Sequence, residues 1–180
     1  MVVQAQRGDR EAFAILARAH VDRLFVIAQR ILRDTGLAED ATQQCLIIVW
    51  RELPTLRDPE KFAGWATRIL VNECNTEARR RTRMSAELRS IPFDGPGRSD
   101  DYLSIVERDA VERGFRRLPA DQRAVLVLRH YVGLELAEIA TTLGLAPGTV
   151  RSRLHYAHRA MRAVLEADAR PTRASGGSAR

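Results

Sequence analysis

The sequence predicts an all-α fold class: two small helical domains joined by a flexible linker, the C-terminal one containing a helix-turn-helix. Three observations carry this. Apolar residues recur at three-to-four spacing along most of the chain. No convincing alternating strand pattern occurs anywhere. The helical pattern breaks between Ser90 and Ser99, an interval rich in Pro, Gly and Ser. With 180 residues, 45% of them hydrophobic, the chain can bury one modest core or two small ones.

The elements follow in order. Asp9 is placed to cap a helix carrying Phe13, Leu16, Leu24, Ile27, Ala28 and Ile31 on one stripe. A second helix, from about Ala38 to Glu52, aligns Ala41, Cys45, Ile48 and Val49. A third opens with Asp58 as cap and Pro59 at the first helical position, then Phe62, Trp65, Ile69 and Leu70. The pattern breaks from Met84 to Asp101 and resumes from about Tyr102 to Arg117, then from Ala120 to Tyr131. The boundaries expected are an N-terminal domain over 1–83, a linker over 84–101, a C-terminal domain over 102–166 and a disordered tail over 167–180.

Composition excludes several classes. No run of 18 uncharged apolar residues exists, and Met1-Val2-Val3-Gln4 leads directly to Arg7-Gly8-Asp9, so neither a membrane span nor a secretory leader is expected. Cys45 and Cys74 cannot form a disulfide framework, and no Cys/His metal spacing is present; no cofactor is expected. A reduced, cytoplasmic chain follows. Cys45 sits on an apolar stripe and reads as a packed thiol. His155 and His158 lie three apart on a helix but lack thiol or carboxylate partners, so contact with phosphate or base outweighs metal binding.

Charge points to a polyanion. The net charge is +6, and Lys61 is the sole lysine among the cations. Arginine favours planar, bidentate contact with phosphate or guanine. A GC-rich coding sequence also enriches arginine, so placement says more than number. Positive charge is focused at Arg79-Arg80-Arg81-Thr82-Arg83 and over residues 146–165, which hold four arginines and no acid.

The segment Leu134 to Leu154 reads as a helix-turn-helix. Ile139, Ala140 and Leu143 form the packing face of a short helix, and Gly144 stands where the turn needs a left-handed backbone. Pro147 opens a second helix whose buried stripe is Val150, Leu154, Ala157 and Met161. Its other face displays Arg151, Ser152, Arg153, His155, Tyr156 and Arg159, the form of a major-groove reader. A plain surface hairpin would not need the small residue, the turn glycine and the buried valine together.

Both halves together resemble bacterial RNA polymerase sigma factors of the extracytoplasmic-function (ECF) type, over about residues 6–83 and 103–166. Arg7 to Phe13 and Ala38-Glu39-Asp40-Ala41-Thr42-Gln43-Gln44-Cys45 through Trp50 carry the N-terminal resemblance. It implies that Asp40, Gln43 and Gln44 are polar contacts to the β′ clamp helices of core RNA polymerase. Gln44 stands where the family usually has a carboxylate, and Leu46 where it usually has Phe. Phe62 to Ile69, Asn72 and Arg79-Arg80 are similar to the segment that melts and reads the −10 promoter element. The resemblance thus gives Phe62, Trp65, Asn72, Arg79 and Arg80 as −10 contacts, although core packing accounts for Phe62 and Trp65 equally well. It gives the loop from Leu53 to Lys61 a part in holding a flipped base. Leu118 to Arg129 and Gly148 to Leu154 resemble the −35-reading domain, with Thr149, Arg151, Ser152, Arg153, His155, Tyr156 and Arg159 at the DNA. The partners implied are core polymerase (β′ clamp helices and β flap), promoter DNA and an anti-sigma factor, with no catalysis by the chain itself.

Two other classes meet the same residues. An autonomous helix-turn-helix regulator would bind paired half-sites as a dimer and has no need of the Asp40–Gln43–Gln44 face. A small nuclease would need a carboxylate or histidine constellation that the sequence does not offer.

Overall fold

Three aspartates start the N-terminal helices. The structure, a computed structural model, describes residues 1–88 and 106–169, with side chains over 1–84 and 111–167. A short α1 (Val2–Gln6) precedes α2 (Arg10–Leu32), whose first turn is held by Asp9 accepting from the Glu11 and Ala12 amides at 2.9 and 3.0 Å. Asp34 opens α3 (Thr35–Glu52) by accepting from the Leu37 amide at 3.1 Å, and its other oxygen pairs with Arg81 at 2.9 Å. Asp58 caps a 3₁₀ turn, Pro59–Lys61, and the α-helix proper, α4 (Phe62–Leu88), begins after it. The sequence predicts α-helix from Pro59; one tight turn intervenes, a common way into a helix.

Asp34→Ala is expected to lower stability by about 1 kcal/mol, because α3 loses its cap acceptor. The exposed Arg81 pair adds little. Asp34→Asn keeps the acceptor and should restore most of the loss, read from urea midpoints.

The N-terminal core is built from facing stripes. Ile27 and Ile31 of α2, Cys45 and Val49 of α3, and Leu70, Val71 and Cys74 of α4 are fully enclosed. Burial pushes both thiols up to about 12, and the Cys45 thiol points at the Ala66 carbonyl, 3.6 Å away.

In the C-terminal half, α5 (Val106–Arg117) leads to α6 (Ala120–Leu126), which runs on as a π-helical stretch through Val132. Ala124 to Leu128 are all buried, since α6 is packed by α8, α2 and α4 together. Next come α7 (Leu136–Leu143) and α8 (Pro147–Ala169). Gly144 adopts φ 63°, ψ 36°, and the Leu145 amide reaches back to the Ala140 carbonyl at 2.9 Å, closing α7 as a left-handed turn does. At Gly114 a Cβ would lie 2.7 Å from the Met161 sulfur, so this glycine lets α5 and α8 meet closely.

No strand occurs among the described residues. No helix among them is long and apolar enough to cross a membrane. α4 runs through Leu88, past the boundary expected at residue 83, and Ala86, Glu87 and Leu88 are good helix formers. α8 runs through Ala169, past the boundary expected at residue 166. The Ser90–Ser99 interval and residues 170–180 lie outside the described residues.

The two halves are docked. Arg33, at the left-handed end of α2, pairs with Glu112 of α5. The Arg30 guanidinium lies 4.3 Å over the Tyr131 ring. Arg123 of α6 donates through Nε to the Ile31 carbonyl in the last turn of α2, where helix carbonyls favour a cation.

Candidate nucleic-acid and partner interfaces

The first face lies on α3. Its inward stripe is Ala38, Ala41, Cys45 and Val49, which turns Asp40, Gln43 and Gln44 to solvent. Ile47, seven residues after Asp40, continues that face and is 51% exposed. Trp50 is partly exposed and braced by Phe13, with ring centroids 4.7 Å apart. Polar residues at i, i+3 and i+4 with an apolar one at i+7 make a face with which a helix can meet a groove or a second helix. Periodicity put Ile48 on the buried stripe and so left Ile47 off it, but an exposed apolar residue carries no chemical signature, and sequence reasoning did not count Ile47 in the face.

The second face runs along α4. Trp65, Asn72 and Arg79 are spaced by seven, so two turns of helix bring each nearly above the last. Trp65 is half-buried, while Asn72, Arg79 and Arg80 are exposed. Phe62, expected at the −10 element, is only 5% exposed and packs against His20 and Trp65 at 5.1 and 6.2 Å, as the floor under Trp65. The loop before α4 is held from a distance. Gln6 of α1 donates to the carbonyls of Leu53 and Leu56 at 3.1 and 2.7 Å, a brace whose partners lie about fifty positions away and leave no local signal.

The third face is on α8. Val150, Leu154 and Ala157 are buried, and Arg151, Ser152, His155, Tyr156 and Arg159 are exposed on the outer side. Thr149 is half-buried, its carbonyl accepting from the Ser152 hydroxyl at 2.9 Å. Arg153 departs from the predicted outward set. It turns back toward α6, pairs with Asp121 at 3.2 Å, and shares a cleft with Asn72 and Arg79. The second and third faces are thus brought together at that cleft, while the α3 set stays apart.

Among the described residues no group of three or more His, Cys, Asp or Glu side chains is arranged to hold a metal ion. His158 instead meets His130, with ring nitrogens 3.0 Å apart. Desolvation, then the charges of His130, Arg162 and His155, lower the pKa of His158. Desolvation and Arg23 lower that of His20. Both rings therefore favour the neutral form when folded, and the unfolded chain takes up protons first as pH falls. Stability should be full above the ordinary value of 6.5 and fall as pH drops from there through the lowered folded-state values. Urea midpoints at about pH 7.5 and about pH 5.5 check this, and the double variant His20→Gln, His158→Gln should flatten the difference.

Residues 16–84 match the family Sigma-70 region 2, and residues 108–163 match Sigma-70, region 4. The ECF RNA polymerase sigma factor SigL of Mycobacterium tuberculosis is 35% identical over 167 residues, covering 88% of this chain and 94% of that protein. SigE of Mycolicibacterium smegmatis is 34% identical over 155 residues; the match covers 83% of this chain and only 60% of that relative. Among solved structures, the sigma factor RpoE of Bartonella quintana, in complex with the anti-sigma factor NepR, superposes with a TM-score of 0.67. The match covers 88% of this chain and 99% of that one, and at 22% identity it speaks for the fold alone. CnrH, solved with the cytosolic domain of CnrY, gives a TM-score of 0.64 at 25% identity, covering 93% of this chain and 96% of that one.

Proposed function

Because the chain belongs to the ECF family of RNA polymerase sigma factors, we propose that its exposed faces divide the work of promoter-directed initiation. The chain binds core RNA polymerase and directs it to promoters. The α3 face, with Asp40, Gln43 and Gln44, meets the β′ clamp helices. The α4 stripe of Trp65, Asn72, Arg79 and Arg80 takes the −10 element, with cations holding the backbone and an aromatic edge for an unstacked base. The outer face of α8 enters the major groove at the −35 element, and its domain sits by the β flap. The chain acts in the cytoplasm and leaves bond formation to the polymerase. An anti-sigma factor that covers these faces holds it inactive.

One observation carries this reading: a single chain presents an open polar and apolar helix face in one half and a cationic recognition helix in the other. Docking adds a constraint. Asn72, Arg79 and Arg153 line one cleft, whereas promoter elements about 25 base pairs apart are separated by about 85 Å at 3.4 Å per step. The halves must part before both elements are read. Initiation from a two-element promoter by core polymerase plus the purified chain is the test; a core enzyme that gains no start-site selection overturns the proposal.

Arg151→Ala is expected to reduce binding to the −35 element by about 1–3 kcal/mol if its guanidinium pairs with a base, checked by promoter titration at fixed salt. Arg153→Ala should do less until the Asp121 pair is released.

A further inference from the structure

A second cleft, of about 370 Å³, opens where the halves dock, with Ala78, Thr82 and Ala120 in its wall. Four arginines line it, Arg33 and Arg81 from the N-terminal half and Arg116 and Arg123 from the C-terminal half, and no carboxylate among the described residues does. Glu112 and Asp34 offset Arg33 and Arg81 from outside. Arg116 and Arg123 have no carboxylate partner among the described residues. Arg123 spends Nε and Nη1 on the carbonyls of Ile31 and Leu118 and leaves Nη2 outside those bonds. The Nε of Arg33 is buried with no hydrogen-bond partner. Among the described residues, then, two guanidinium charges lack a carboxylate partner and the Arg33 Nε lacks an acceptor.

We infer that this cleft binds a small diphosphate-bearing anion, which bridges the two halves and favours their docked arrangement. Guanidinium forks match phosphate oxygens two at a time, and two uncompensated cations fit a ligand with at least two negative charges. The volume decides against a helical peptide: two turns of helix about 10 Å across fill roughly 850 Å³. It lies within the small-ligand range of about 300–1,000 Å³. Leu37 and Leu118 supply apolar wall beside the charges. Repulsion within the cluster is visible at Arg123, where burial, then Arg33 and Arg81, bring the guanidinium down to about 10. An anion would relieve that repulsion. The proposal does not rest on the transcription reading, since binding is measured on the chain alone.

The test is calorimetric titration of the full chain with inorganic pyrophosphate and, separately, ADP, with sodium sulfate at matched ionic strength as control. Saturable binding of one equivalent of pyrophosphate or ADP, absent with sulfate, is expected. Tighter binding of ADP identifies a nucleotide as the ligand type; equal or weaker binding identifies the diphosphate itself. Arg116→Glu, at an exposed position on α5, should weaken binding by about tenfold or more while helical circular dichroism is unchanged. Arg18→Glu, toward the other end of α2, should leave affinity within about twofold. Linear, non-saturable heats for both anions overturn the proposal, and so does an affinity that Arg116→Glu leaves unchanged or that Arg18→Glu reduces equally.

Discussion

An Ile47→Arg chain is expected to fold like its parent and fail to capture core RNA polymerase. Ile47 contributes little to the helical core, being 51% exposed, so its replacement leaves the α2–α3–α4 packing alone. In the complex it would sit at the centre of the α3 face, where an apolar anchor carries most of the energy and polar neighbours exclude water. Losing such an anchor costs about 2 kcal/mol, about thirtyfold in affinity, and an unpaired guanidinium driven into the contact adds to it. Asp40→Arg should act more through the association rate and its salt dependence, as rim charges do. Interferometry against immobilised core enzyme, with circular dichroism as the folding control, measures both. Parental affinity for Ile47→Arg would show that α3 is not the docking helix.

The second large effect is expected from Val150→Asp. Val150 is wholly buried at the start of α8, where it packs with Ile139 and Ala140 in the hydrophobic core. A buried carboxylate left unpaired there costs about 3–5 kcal/mol, a large share of the about 5–15 kcal/mol that holds a domain together. The C-terminal half should melt while the N-terminal core persists, splitting thermal unfolding into two transitions. The variant should still bind core polymerase and lose the contribution of the −35 element to transcription. Leu154→Ala, which removes volume without adding charge, should destabilise the same half by about 2–5 kcal/mol. Equal transcription from promoters with and without a −35 element separates this outcome from general inactivity.

Local chemistry was legible in the sequence wherever one residue dictates one geometry. Asp9, Asp58 and Gly144 set helix ends through a side-chain acceptor or a left-handed backbone, and such signals act over three or four positions. Binary patterning likewise fixed the buried stripes of α3 and α8 and so left Gln43 and Arg159 outside. The docking of the halves was not legible. Arg123 meeting the Ile31 carbonyl, and Arg30 meeting Tyr131, join positions about a hundred apart, and no periodicity records them. Arg153 lies two positions from Arg151, hence on a different side of α8, and its pair with Asp121 holds it inward. The π-helical turn at Val127 was hidden for another reason: widening a turn shifts the hydrogen-bond partners without changing the residue types that form it.

The two sealed thiols make the N-terminal helices report on their own breathing. With both sulfurs out of contact with water and held at about 12, alkylating reagents and peroxide have almost no thiolate to attack in the native chain. Labelling should proceed only as fast as α3 and α4 spread apart, so its rate measures that opening free energy directly. A reagent that reacts with these sulfurs therefore counts openings of the helical core rather than the state of its surface.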